Sequence, residues 1–149
     1  MEEKSTLGCI FDDLVNALSG VIDRNRIFMN DRPCLTDSSK PMDKFIVVDL
    51  PSEIDDNVIG DKDTMLNTYG VFHLFTRAKK NNSLNVNATG VLVDGVKRLF
   101  PIKGEYVVCS SPVVRLKGAD GNSYQVVIIS FKLRSRWNAF APQENVSGQ

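Results

Sequence analysis

The chain reads as an α+β domain: an antiparallel sheet of four to five strands with two helices packed on one face. Three observations carry this reading. Leu7, Ile10, Phe11, Leu14, Val15, Leu18 and Ile22 recur at three- and four-residue spacing, which predicts an amphipathic first helix. Residues 64–100 form a long strand, a polar turn and a second amphipathic helix, the stretch around which the chain is organised. Gly118-Ala119-Asp120-Gly121-Asn122 lies between two strand-like runs and has Asp-Gly at its centre, which predicts a hairpin. Each helix has one apolar stripe to cover, and strands joined by short turns pair antiparallel, so both stripes belong on one sheet face.

The first helix can be capped by Ser5 or Thr6, with Asp12 and Asp13 expected in solvent and Gly20 loosening the last turn. Residues 27–30 suggest a short strand ended by Asp31-Arg32-Pro33. Phe45-Ile46-Val47-Val48-Asp49-Leu50 is a short apolar run rich in β-branched residues, which favours a buried central strand. Residues 51–63 change character: Glu53, Asp55, Asp56, Asp61 and Asp63 are opposed by Lys62 alone, and this reads as an acidic loop. Residues 68–77 are the long strand, residues 78–82 break its period, and Ser83 is the candidate N-cap of the second helix. Leu84, Ala88, Val91, Leu92, Gly95, Val96 and Leu99 then share a helical face, and Pro101 stops the helix. In residues 105–117, Pro112 removes a ladder donor, so that strand lies at an edge or is bulged there. Residues 124–136 return with a buried middle of Val126, Val127, Ile128 and Ile129. Val47, Phe72, Leu74, Val91, Leu92 and Ile128 are the expected core, and residues 137–149 the expected mobile tail.

At 149 residues, the chain is long enough for a single domain, 1–149, with a real core. Its 18 basic and 18 acidic residues balance, so no global positive field points to a nucleic-acid binder. Cys9, Cys34 and Cys109 are odd in number and widely spaced, which suggests neither a disulfide framework nor a zinc site and favours a reducing compartment. No apolar run has the length of a membrane helix or the form of a signal peptide, so a soluble, intracellular protein without a membrane partner is expected.

Chemistry is sparse. His73 is the single histidine, and no partner residue is evident for it as a general base, so a structural role is the ordinary reading. No nucleophile elbow or phosphate loop is present, and the spacing of Gly90 and Gly95 falls inside an apolar helix. Asp49, Glu53 and Lys62 could be forced into a Mg²⁺-dependent nuclease reading, but Pro51 separates the carboxylates and a solvated acidic loop explains them. No catalytic residue, cofactor or metal site is expected. Lys132, Arg134 and Arg136 alternate with Phe131, Leu133 and Ser135, so they share one strand face, either a docking stripe or plain solvent surface. Trp137 follows as an aromatic anchor for a partner.

The N-terminal amphipathic helix, Asp31-Arg32-Pro33, the Phe45–Pro51 run, the later strand and helix and the closing hairpin together resemble small tail-completion proteins of tailed bacteriophages. That resemblance implies a head–tail connector of the tail-terminator kind. Such a subunit forms a homo-oligomeric ring of six or twelve copies in the virion neck or tail, after assembly in the host cytoplasm. Its neighbours are portal-proximal neck proteins and tail proteins, and double-stranded DNA passes through its lumen without being read. It implies no enzyme. A closed ring needs one patch to meet a different patch on the next copy. The sequence offers the acidic set Glu53, Asp55, Asp56, Asp61 and Asp63 against the basic set Lys132, Arg134 and Arg136, with Trp137 beside it. The alternative from another class is a small intracellular ligand- or partner-binding α+β module; a metal-dependent hydrolase is the third.

Overall fold

A computed structural model describes residues 6–29, 43–50, 55–59, 63–81, 83–120 and 123–136. Its helices are α1 (Thr6–Leu18) and α2 (Val86–Lys97), and its strands are β1 (Ile27–Met29), β2 (Lys44–Asp49), β3 (Asp55–Ile59), β4 (Asp63–Arg77), β5 (Ile102–Lys103), β6 (Val107–Ala119) and β7 (Tyr124–Arg136). The sheet runs β1-β2-β4-β7-β6-β5, with β3 off that path beside β4, and it curls as a half-barrel.

The organising strand of the sequence is the centre of the sheet. Along one edge β4 pairs with β7 from Met65 to Arg77. Along the other, β2 and β3 lie end to end, β2 opposite residues 71–76 and β3 opposite residues 63–67. A strand paired on both sides needs β-branched and aromatic side chains throughout, which is what Tyr69, Val71, Phe72, Phe75 and Thr76 supply.

Three features correct the expected sheet of four to five antiparallel strands. The sheet is mixed, because β1 runs parallel to β2. Residues 30–43 separate the two strands, enough chain for the crossover of about a dozen residues that parallel pairing requires. The acidic segment expected to be a loop contains β3, which opens with the poor strand formers Asp-Asp-Asn and pairs with the part of β4 that extends past β2. β5, two residues long, is too short to leave a periodic signal.

Both helices pack into one core, where Ile10, Phe11, Leu14 and Leu18 of α1 and Leu92 and Val96 of α2 meet Ile46, Val48, Phe72, Leu74, Val127, Ile129, Phe131 and Leu133. The strand members alternate in sequence and lie opposite one another in register, so they define a single sheet face. On the other face a smaller cluster holds Phe45, Val47, Phe75, Tyr124 and Val126, with the Phe45 and Phe75 rings stacked at 4.4 Å. This second cluster pins the start of β7 to β2. Ile128 belongs beside it, half-buried rather than in the main core.

Three expectations for the helices fail on geometry. Asp13, expected in solvent, is buried, because its carboxylate turns to the backbone at the start of β6. Val91 is 62% exposed, because the buried stripe of α2 is Thr89, Leu92 and Val96. Val91 sits about 200° around the helix from Thr89, away from the sheet. Asn85, not Ser83, is the N-cap and accepts from the Ala88 N–H at 3.2 Å. The Ser83 hydroxyl instead donates to Asn81 Oδ1 at 2.6 Å. The bulge expected at Pro112 is present: the register of β6 on β7 shifts between Ser110 and Val113, and Ser111 takes a positive φ of 59°. The hairpin between β6 and β7 also forms, closed by the Asp120 N–H on the Tyr124 carbonyl and the Tyr124 N–H on Asp120 Oδ1.

Candidate inter-subunit surface

β7 places the basic stripe as its alternation requires. Phe131, Leu133 and Ser135 are buried toward the helices, while Lys132 and Arg134 are exposed on the opposite face. Arg136 ends the strand opposite Met65. On the same open face Tyr69 of β4 is 58% exposed directly opposite Lys132.

Of the acidic set, Asp55 and Asp56 open β3 and Asp63 opens β4. Glu53, Asp61 and Trp137, together with the expected mobile tail and Cys34, lie outside the described residues. The register brings the two sets closer than the sequence suggests. Asp55 is opposite Asn67, Asn67 is opposite Arg134, and Arg134 is opposite Val108, so the four form one row across the sheet. Two interstrand spacings, about 10 Å, separate the backbones of Asp55 and Arg134. The strand that carries Asp55 thus lies two strands from the one that carries Arg134, on a single subunit.

β7 is an interior strand, so its basic stripe can be approached only from the open face. The edges are elsewhere. Beyond its short pairing with β5 at Val108 and Cys109, β6 has no partner on its outer side among the described residues. There Val113, Leu116 and Val114 are exposed at 52%, 68% and 37%, interleaved with exposed Arg115 and Lys117. Sequence reasoning placed an edge at Pro112 but did not follow it to Arg115 and Lys117, whose alternation with Val114 and Leu116 was the available signal.

His73 meets Asp49 at 3.5 Å between Nε2 and Oδ2, across the β2–β4 pair. Burial pushes the imidazole pKa down; Asp49 works against that and the Lys117 ammonium adds to it. A neutral histidine beside a carboxylate has an orienting partner but needs a nucleophile or substrate group to do acid–base work, and no such group contacts it among the described residues. The Cys109 thiol is buried under the sheet, and burial followed by the Asp13 charge pushes its pKa up to about 12, which keeps it protonated and unreactive. No group of three or more His, Cys, Asp or Glu gathers as metal ligands among the described residues, and no helix there is long and apolar enough to cross a membrane.

Neither a protein-family model nor a curated protein sequence matches this chain.

Proposed function

We propose that this chain is a structural virion protein, one subunit of a ring in the neck or tail of a tailed bacteriophage that joins portal to tail and surrounds the DNA channel. The ring is homo-oligomeric, of six or twelve copies, and its axial neighbours are portal-proximal neck proteins and tail proteins. Its role is mechanical rather than catalytic and needs no cofactor. The element order that resembles tail-completion proteins motivates the reading. The observation that carries it is the pair of dissimilar borders on one continuous sheet: β3, with two carboxylates in its sequence, on one side of β4, and the exposed basic strand β6 on the other. Heterologous closure requires two such unlike patches on one subunit. The open sheet face with Lys132 and Arg134 is a suitable lining for a lumen that passes DNA, since spaced cations attract phosphate without reading bases.

The test is the mass of the purified chain in solution, followed by electron microscopy of any oligomer. A ring of six or twelve copies with a channel wide enough for a DNA duplex is the expected result. A chain that stays monomeric at high concentration, alone and with neck or portal proteins, would favour the small binding module instead.

A further inference from the structure

We propose that neighbouring copies join by β-strand addition, the outer edge of β3 in one copy pairing with the outer edge of β6 in the next. This rests on the ring reading above and names the surfaces that close it. A sheet edge is a row of backbone donors and acceptors, and soluble proteins normally keep such edges short, charged or covered. The outer edge of β6 is not short: after the bulge at Ser111 it continues to Ala119, with Val113, Val114 and Leu116 exposed. What protects it is charge, Arg115 and Lys117, and the two register shifts that flank Val113 to Leu116.

Those protections select the partner. Two copies of β6 laid edge to edge would set Arg115 and Lys117 of one copy against the same residues of the other, and like charges across a ladder repel. An edge of opposite sign suits it. β3 is such an edge: it is five residues long, begins Asp55-Asp56, and pairs only with β4 among the described residues, leaving its outer side without a strand. β3 and β6 lie on opposite sides of the β4–β7 pair, so β3-to-β6 contact is head-to-tail and repeats around a ring. Main-chain bonds give such an interface its affinity, and the alternating Val114 and Leu116 with Arg115 and Lys117 give it specificity.

The experiment uses the full chain and two charge-reversed variants, Arg115→Asp/Lys117→Asp and Asp55→Lys/Asp56→Lys, with mass read by light scattering and native mass spectrometry. Each variant alone should assemble about three- to tenfold more weakly than the parent, because one of the two adjacent carboxylates can share a face with Arg115 and Lys117, so one exposed pair is lost and like-charge contacts are gained. Mixed in equal amounts they should reassemble, since each then offers the other an oppositely charged edge, and the products should contain even numbers of subunits. Hydrogen exchange of the parent should show new protection at residues 113–117 on assembly. A parent that assembles while both variants assemble equally well, or without new protection at residues 113–117, overturns edge pairing and leaves the ring to other surfaces. A parent that never assembles overturns the ring and this inference together. Melting curves of the variants separate lost assembly from lost folding, and if either variant fails to fold, the exchange result on the parent decides.

Discussion

The Asp13 carboxylate on α1 accepts the backbone N–H of Tyr106 at 2.6 Å, joining residues 93 positions apart. The same Oδ2 accepts the Val107 N–H at 3.2 Å, so one buried oxygen caps the entry to β6. Without it, the buried Val107 N–H and the part-buried Tyr106 N–H would both lose this acceptor. Asp13→Ala should therefore cost about 2–4 kcal/mol, while Asp13→Asn, which keeps an oxygen, should cost less. Gly104→Ala should act at the same point, because its Cβ would stand 2.7 Å from the Asp13 carboxyl carbon. Urea unfolding measures all three, and an Asp13→Ala variant as stable as the parent would mean that this link does not hold α1 to the sheet.

The second helix is tied to the sheet by a different device. Thr76 Oγ1 and Thr89 Oγ1 lie 2.8 Å apart, both residues buried, joining β4 to the first turns of α2. Each hydroxyl has the other as its partner, so removing one strands the other. Thr89→Val should cost about 1–3 kcal/mol, and Thr76→Val in that background should recover part of the loss rather than add to it. Simple additivity in the double-mutant cycle would show that the hydroxyls are not coupled.

Residues whose burial follows from period alone were legible in the sequence. The stripe of α1, the apolar run of β2, the centre of β4 and the alternation of β7 all stand where spacing put them. What sequence could not supply was the orientation set by neighbours. Val91 and Leu92 are adjacent apolar residues, and only the direction of α2 over β4 decides that Leu92 is buried at 2% and Val91 exposed at 62%. Asp13 looks like any solvent-facing carboxylate until β6 presents its backbone to it. β3 is hard to see because it opens with Asp-Asp-Asn, which leaves only two good strand formers in the run, and because its pairing depends on β4 extending past β2. The basic stripe on Lys132 and Arg134 was read correctly as a shared face, but its distance from the acidic set required the register.

That distinction within α2 is itself measurable. Leu92→Asp should prevent folding, since it buries an unpaired charge against Phe72 and its neighbours. Val91→Asp should change stability by about 0.5 kcal/mol or less, as an exposed substitution does. Equal damage from both would mean that Val91 is covered in the folded protein.

Gly70 is matched to a ring rather than to a turn. It lies directly opposite Phe131 on β7, and a Cβ added there would collide with that ring. Phe131 has little room to yield, because Phe72 and Phe100 hold it at centroid distances of 4.6 and 5.2 Å. Gly70→Ala should then destabilise by about 1–3 kcal/mol despite the better strand propensity of alanine. Pairing it with Phe131→Leu, which shortens the facing side chain, should remove much of that clash. A Gly70→Ala variant with an unchanged melting temperature would show that the aromatic cluster can shift.

The last prediction concerns pH and follows from His73. Its side chain is 24% exposed, and burial lowers its pKa from 6.5 despite the Asp49 carboxylate 3.5 Å away. The unfolded chain therefore binds this proton more readily than the folded one. As pH falls through 6.5 the unfolded state takes up the proton first, and stability is lost until the pH passes below the folded pKa. Because the chain has a single histidine, this loss is the only histidine contribution between about pH 7.5 and pH 5.5. The melting temperature of the parent should decline over that window, and His73→Gln should flatten the decline. Asp49→Asn should steepen it, since it removes the carboxylate that favours the protonated ring and leaves burial and Lys117 to act alone. Parallel pH profiles for the parent and His73→Gln would show that His73 meets the same environment folded and unfolded, and that its pairing with Asp49 fully offsets the cost of its burial.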